Sequence, residues 1–384
     1  MIPSTPLRPI AGWQHKAVVS WSPPLSAKIA WPARGRAIVL PRPGRDAIFL
    51  KNCWYIAAEA REVSRAPLGR VLLGEPVVLY RRENGTPVAL EDRCCHRRAP
   101  LHKGKVIGDT LQCGYHGFTF DTTGACVAIP GQDRVPASVG VRGYSVVERH
   151  RYVWIWMGEK DKADPARIPD FSQNDDPNWA AVGANLHVEA NYLLLVENLI
   201  DLSHVAFVHS STIGSTEDTN AKLNLERSDD FVRVIRDAPG ISCPPSMKSL
   251  GFAPVVDQRK IITFTPGSNI WIDIPTRDAV PVEGRNEPMQ RRVMILNAIT
   301  PETDTSCHYF WVNARDFDQA NQARSDFFLK TVTTAFNEDK DILEAQQRVI
   351  SLDPSAPTVN VNADWGGVQA TRMMAEMIAA EARA

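Results

Sequence analysis

From residue 49 onward the chain is a succession of short apolar runs separated by turn signals. The runs at 71–73, 77–80 and 88–90 are rich in the branched and aromatic side chains that favour strands. At 152–157, Tyr152, Trp154 and Trp156 alternate with Val153, Ile155 and Met157, the two-residue period of a strand. Glu83-Asn84-Gly85, Thr123-Gly124 and Pro130-Gly131 punctuate these runs. Residues 47–160 therefore read as a small, mostly β domain. The stretch 161–180, charged at first and holding Pro165 and Pro169, reads as a linker. In 181–384 the pattern is mixed. A helical stretch lies near 189–202, strand runs at 232–235, 260–264, 270–274, 292–299 and 308–312, and a long helical pattern at 325–349. No internal repeat is visible. The expected class is α+β in two domains.

Residues 1–46 have a different texture. Positions 1–45 carry seven basic side chains, eight of the 28 prolines and no acid before Asp46. Proline at that density breaks helices and central strands, so the segment reads as a disordered Pro/Arg-rich extension. An organelle transit peptide shares the arginine-rich, acid-poor start, but the prolines interrupt the amphipathic helix such peptides form. A third reading begins translation near Phe49. Over the whole chain 43 basic residues face 44 acidic ones, a net charge of −1. That balance supplies no field for nucleic acid or an anionic membrane. No stretch approaches the ~18 apolar residues of a membrane span. Seven cysteines are an odd number and too sparse for a disulfide framework. They point to metal or redox chemistry in a reducing, cytoplasmic setting.

Two clusters carry that chemistry. Cys94-Cys95-His96 and Cys113-Gly114-Tyr115-His116 offer Cys-x-His and Cys-x-x-His, with one thiol and one imidazole from each loop. A structural zinc site is the competing reading, yet its cysteines come as one pair and its histidines as another. The mixed order suits a Rieske 2Fe–2S centre, in which one iron takes both thiolates and the other both imidazoles. Cys94, His96, Cys113 and His116 are the candidate ligands. Cys95, adjacent to His96, breaks the spacing; it packs beside the cluster or tunes its potential and its sensitivity to oxidation. Cys53, Cys126, Cys243 and Cys307 are isolated and read as buried structural thiols.

The second cluster is Asn198, Asp201, His204 and His209, set among leucine, isoleucine, valine and phenylalanine. Positions 198, 201 and 204 share one face of a helix; a helix that ends or distorts near His204 would bring His209 to the same point. Such polar groups are costly to bury unless paired or liganded. Two histidines need a carboxylate to complete the facial triad of a non-haem iron site. Among Glu338, Asp339 and Asp341, Asp339 has Ala335, Phe336, Ile342 and Leu343 at helical spacing and so lies mid-way along an apolar face. Glu338 and Asp341 read as solvated.

Asp92 to Leu101 and Cys113 to Gly117 resemble the paired loops of the Rieske non-haem iron oxygenases, with Cys95 where that family usually has proline. The second motif is similar too, with His204, His209 and Asp339 matching the iron ligands. The resemblance covers most of 49–350. It implies a Rieske domain followed by a helix-grip catalytic domain, an antiparallel sheet around a long C-terminal helix. It implies one 2Fe–2S cluster and one mononuclear iron(II) per subunit. It gives Asp201 a bridging role between the Rieske histidine of one subunit and an iron histidine of the next, hence a homotrimer. Asn198 is taken with it as part of the catalytic apparatus.

Phe49 to Tyr55, Leu73 to Arg81, Ile129-Pro130-Gly131-Gln132 and Thr300-Pro301-Glu302-Thr303 with His308-Tyr309-Phe310 are similar to the vanillate and dicamba O-demethylase oxygenase components. The implied reaction is O-demethylation of a methoxylated aromatic acid with release of formaldehyde, within aromatic catabolism. The implied partners are dioxygen and an NAD(P)H-dependent reductase with flavin and 2Fe–2S, or a ferredoxin. Hydroxylation of a methyl group or ring is the alternative, and an electron carrier without oxygenase activity is the alternative of another class. Asn297, just before the Thr-Pro-Glu loop, is a candidate substrate contact; a satisfied strand asparagine competes with it.

Overall fold

The computed structural model describes residues 49–210, 213, 222–248 and 250–383. The extension expected over 1–46 lies outside the described residues. The N-terminal part holds β1 (Trp54–Glu59), β2 (Leu68–Leu72), β3 (Glu75–Arg81), β4 (Pro87–Glu91), β5 (Lys105–Ile107), β6 (Thr110–Gln112), β7 (Thr119–Phe120), β8 (Cys126–Ala128), β9 (Gly143–Arg149) and β10 (Tyr152–Trp156). They form two antiparallel sheets, ordered β1-β10-β9-β4-β3-β2 and β5-β6-β7-β8. The strands of the second sheet are two or three residues long, too short for periodicity to reveal.

Alternation in β10 has a different meaning from the usual half-buried strand, because both its faces are buried. Val153, Ile155 and Met157 enter the main core. Tyr152, Trp154 and Trp156 enter a second core with Phe310 of the C-terminal part and with Phe171. The stretch expected as a linker contributes to this core. Ile168 and Phe171 are buried there, between short 3₁₀ turns. Hydrogen bonds complete the join: Leu73 N donates to Pro301 O and Gly74 N to Glu302 O, both at 2.8 Å, and Thr300 Oγ1 donates to Ile56 O at 2.7 Å.

The C-terminal part runs β11 (Ala180–Val188), α1 (Tyr192–Ile200), α2 (Val205–Val208), β12 (Lys222–Arg227), β13 (Val232–Ser242), α3 (Pro245–Lys248), β14 (Val255–Thr265), β15 (Asn269–Asp278), β16 (Gln290–Thr303), β17 (Ser306–Arg315), α4 (Gln322–Leu352) and α5 (Trp365–Glu381). Its seven strands make one antiparallel sheet, β11-β17-β16-β15-β14-β13-β12. Every strand run read from 232 to 312 lies inside one of these strands, which extend further than the apolar runs because ladder bonds carry polar positions too. On α4 the buried residues Ser325, Phe328, Val332, Ala335, Phe336, Asp339, Leu343 and Gln347 recur at three and four and form one stripe against the sheet and α1. Ile342, counted among the apolar neighbours of Asp339, is exposed. The closing helix α5 lies past the last element read from the sequence. It packs on α1 through Gly366, where a Cβ would stand 2.7 Å from Val234 Cγ2 and 3.1 Å from Ile200 Cγ1. Glu381 at its end accepts from the backbone of Lys51 (2.9 Å) and Asn52 (2.6 Å), tying it to the start of the N-terminal part.

Candidate metal centres

The two N-terminal loops are one turn used twice. Cys94 N donates to Ala99 O (2.9 Å) and Arg98 N donates back to Cys94 O (2.8 Å). Cys113 N donates to Phe118 O (2.8 Å) and Gly117 N to Cys113 O (3.1 Å). The fourth residue after each cysteine has positive φ: Gly117 at 74° and, less comfortably, Arg98 at 59°. Buried Asp92 braces the first loop by accepting from the His102 backbone at 2.7 Å and pairing with its ring. Cys94 and Cys113 are buried, while His96 and His116 are exposed with ring centroids 4.7 Å apart. Burial and the facing Cys113 thiol push Cys94 up to about 11. Two buried thiols behind two surface imidazoles fit a cluster whose histidine-bound iron faces outward. Tyr115 N donates to Cys113 Sγ at 3.5 Å. Cys95 is exposed, and its thiol interacts with that of Cys94; the four isolated cysteines are free and buried.

The second centre is built across two helices. Helix α1 ends at Ile200 and Asp201 is extended, with φ −106° and ψ 102°. A 3₁₀ turn at Leu202–His204 and the short α2 follow. The single helical face expected for 198, 201 and 204 is therefore absent, and the break comes three residues before His204. It is the Asp201 carboxylate that makes the break, accepting from Ser203 N (2.9 Å), Ser203 Oγ (2.7 Å) and Arg236 Nη2 (2.7 Å). Arg236, buried on β13, was missed; its only signal was a second arginine within the run Val232-Arg233-Val234-Ile235-Arg236.

After the break His204 and His209 turn toward Asp339, and the three side chains offer ligand atoms within 4.8 Å of one another. His204 Nε2 lies 3.4 Å and His209 Nε2 3.2 Å from Asp339 Oδ1. Each imidazole is steered through its other nitrogen. His204 Nδ1 donates to the Asp201 carbonyl at 2.7 Å, and His209 Nδ1 lies 2.8 Å from Glu338 Oε2. Both Nε2 atoms are thereby aimed at one point, the second-layer support a metal-binding histidine requires. Glu338 is thus a partner of His209 and not merely a solvated acid, whereas Asp341 is exposed. Burial raises the Asp339 carboxyl, but the hydrogen bonds and charges of His204 and His209 outweigh it and hold the group at about 2. Asn198 Nδ2 donates to Asp339 Oδ1 at 3.1 Å. Two imidazoles and one carboxylate on one side of a point fit a ferrous ion with open positions.

Beside this point is a chamber of about 150 Å³ between α4, α1–α2 and the sheet. Leu199, Leu202, Ile272, Ile274, Val293, Ile295, Phe328 and Phe336 supply apolar wall; Gln258, Lys260, Asn313 and Thr331 are its polar members. Larger clefts exist at the surface, but they do not contain the histidines. Asn297 does not line the chamber. Its Nδ2 donates to Ile270 O (3.0 Å) and its Oδ1 accepts from Tyr309 OH (2.7 Å), so its amide is already satisfied inside the protein. An asparagine that does line the chamber is Asn313, one strand over on β17. No helix among the described residues is long and apolar enough to cross a membrane.

The family model for the Rieske 2Fe-2S domain matches residues 53–141, and that for the vanillate O-demethylase oxygenase C-terminal domain matches 188–380. The chain is 38% identical to the toluene-4-sulfonate monooxygenase system iron-sulfur subunit of Comamonas testosteroni, over 87% of this chain and 98% of that one. It is 36% identical to a vanillate O-demethylase oxygenase subunit of a Pseudomonas species, over 88% and 97%. The crystal structure of dicamba monooxygenase bound to 3,6-dichlorosalicylic acid superposes with a TM-score of 0.80 at 34% identity, covering 88% of this chain and 99% of the other.

Proposed function

The chain belongs to the Rieske non-haem iron oxygenases of the vanillate O-demethylase type, and on that premise we propose that it demethylates a methoxylated aromatic acid. It is the terminal oxygenase component of a Rieske monooxygenase system, with one 2Fe–2S cluster and one mononuclear iron per subunit. The reading assigns Cys94, His96, Cys113 and His116 to the cluster and His204, His209 and Asp339 to the iron. Residues 47–160 are its Rieske domain and 181–384 its catalytic domain, joined by 161–180. The observation that carries the oxygenase reading is the apolar chamber beside the two imidazoles and Asp339, and the similarity to a vanillate O-demethylase oxygenase subunit supports a methoxylated substrate.

When bound, the iron activates dioxygen with electrons delivered through the cluster. The chain's own residues do the rest. Asp201 and Glu338 set the two imidazoles, Asn198 orients the Asp339 carboxylate, and the apolar walls hold the ring while excluding water from the reacting methyl group. Oxygen insertion into the methoxy C–H bond gives a hemiacetal that collapses to a phenol and formaldehyde. One dioxygen, two electrons and two protons are consumed, and the second oxygen atom leaves as water.

Electrons supplied from NAD(P)H by a reductase or ferredoxin, and a cytoplasmic location beside it, are part of the proposal. A ring of three subunits is part of the proposal. What supports it is exposed aromatic surface at both centres: Tyr115 beside His116 is 66% exposed, and Phe207 between His204 and His209 is 76% exposed. In that ring Asp201 would bridge to the neighbour's Rieske histidine. Hydroxylation of a methyl group is the second reading, favoured by the similarity to a subunit of a system whose named substrate, toluene-4-sulfonate, has no methoxy group.

The test is oxygen uptake by the holoenzyme with a suitable reductase, NADH and a panel of methoxybenzoates. Formaldehyde should appear in a one-to-one ratio with oxygen consumed, from protein holding about three irons per chain. Uptake without formaldehyde supports hydroxylation. Two irons per chain and no uptake with any arene would leave only an electron carrier.

A further inference from the structure

The two turns that carry the cluster ligands give matching backbone support to their sulfurs. The His96 amide donates to the Cys94 sulfur, and the Tyr115 amide donates to Cys113 Sγ at 3.5 Å. The residue after each cysteine breaks this symmetry. In the second turn it is Gly114, where a Cβ would stand 2.7 Å from the Lys103 carbonyl oxygen, so no side chain fits there. In the first turn it is Cys95, where the family usually has proline. The Cys95 thiol hydrogen-bonds that of Cys94, and the Gly140 amide donates to the Cys95 sulfur. Although exposed, the Cys95 side chain is therefore tied to the first ligand and to a neighbouring loop.

The direction of the bond between the two sulfurs follows from the chemistry of the ligand. A cysteine ligates iron as its thiolate. Bound in that way, Cys94 has no proton to give, so the hydrogen between the sulfurs belongs to Cys95. An S–H is a weak donor, but a hydrogen bond onto a charged acceptor is roughly twice as strong as one between neutral groups. By charge count, a 2Fe–2S centre with two thiolates and two neutral imidazoles is neutral when oxidised and gains one negative charge on reduction. A donor at its sulfur stabilises the reduced form more than the oxidised one, and hydrogen bonds to the sulfurs are among the factors that set such potentials.

We propose that Cys95 donates its S–H to the Cys94 sulfur and thereby raises the midpoint potential of the cluster, easing the entry of electrons from the donor protein. The inference rests on Cys94, His96, Cys113 and His116 holding a Rieske centre. It gives this chain a donor that a proline at the same position cannot supply. Cys95 acts through Cys94: the cluster takes up one electron, and no bond of the Cys95 side chain is made or broken.

Redox titration of the cluster-loaded protein with dithionite, followed by its visible and EPR spectra, tests this without turnover. Cys95→Pro and Cys95→Ala should each shift the reduction equilibrium roughly ten-fold toward the oxidised form, a fall in midpoint of about 59 mV for a one-electron couple. Cys95→Ser keeps a donor and should hold the wild-type midpoint or exceed it. The sign separates this role from mere packing. A residue that only shielded the cluster would, when cut back to alanine, admit water, which favours the charged reduced form and raises the midpoint. Infrared difference spectra should show an S–H stretching band that moves to lower frequency on reduction of the wild type and is missing in Cys95→Ala. A midpoint unchanged or raised in both Cys95→Pro and Cys95→Ala, or a Cys95→Ser that falls as far as they do, overturns the proposal. So does a reduction-sensitive S–H band that survives in Cys95→Ala. A wild type without a Rieske spectrum would sink the cluster assignment itself; a Rieske spectrum whose midpoint ignores Cys95 sinks this inference alone.

Discussion

Asp339 and Asp341 are two residues apart on α4, yet one lies in the buried stripe and the other on the solvated side. Removing one charge should therefore have unequal effects. Asp339→Asn is expected to abolish turnover while leaving the Rieske spectrum intact, and Asp341→Asn to behave as wild type in the same assay. A dead Asp341→Asn beside an active Asp339→Asn would refute the ligand assignment. Glu338 acts one step further out, through His209 Nδ1. Glu338→Gln keeps the shape but weakens the pull on the imidazole proton. Iron(II) affinity, measured by competition with a chelator, should fall by roughly ten- to a hundred-fold, the usual effect of losing such a support.

At the scale of elements, the decisive feature is the end of α1 at Asp201. Continuing that helix would carry His209 off the face that holds His204, because five residues are well past one turn. Gly366 governs how α5 seats against the same helix. Gly366→Val would press branched methyls into Val234 and Ile200 and should destabilise the protein by about 1–3 kcal/mol in denaturant titration. Glu75, at the start of β3, offers a pH test. Burial raises its carboxyl, but Lys51 Nζ at 2.6 Å, Tyr144 OH at 2.9 Å and Arg142 Nη1 at 3.1 Å bring it below the ordinary 4.5. A depressed carboxylate contributes stability that is present above 4.5 and lost as pH falls through its lower folded value. Wild type should be more stable than Glu75→Gln near neutrality, and the gap should close on acidification below about pH 4. A gap that widens on acidification would contradict the arrangement around Glu75.

The whole molecule has to couple two centres that differ in exposure. His96 and His116 are at the surface, whereas His209 and Asp339 are buried. If the neighbouring subunit closes that circuit, dilution should reveal it. Specific turnover should drop in step with dissociation of a species of about three chains, followed by light scattering, while the cluster of each chain stays reduced by dithionite. A single chain that keeps full turnover would rule out the ring. The join within one chain is of another kind. β10 is buried on both faces between the two cores, and the Thr300-Pro301-Glu302 segment hydrogen-bonds the N-terminal part.

Both proposed ligand sets can be picked out along the sequence because their spacing is a local property. Two short loops place Cys94, His96, Cys113 and His116, and helical periodicity alone separates Asp339 from Asp341. The strands from 232 to 312 were legible for the same reason, as apolar runs long enough to show a period. What tertiary structure decided was everything that depends on the far side of a contact. Only packing shows that Glu338 serves His209, that Arg236 crosses from β13 to hold Asp201, and that the linker fills a core. Asn297 and Asn313 look alike along the chain. Tyr309 satisfies one amide and none of the described residues satisfies the carbonyl oxygen of the other, a difference that exists only once β16 and β17 are paired and the chamber has closed around them.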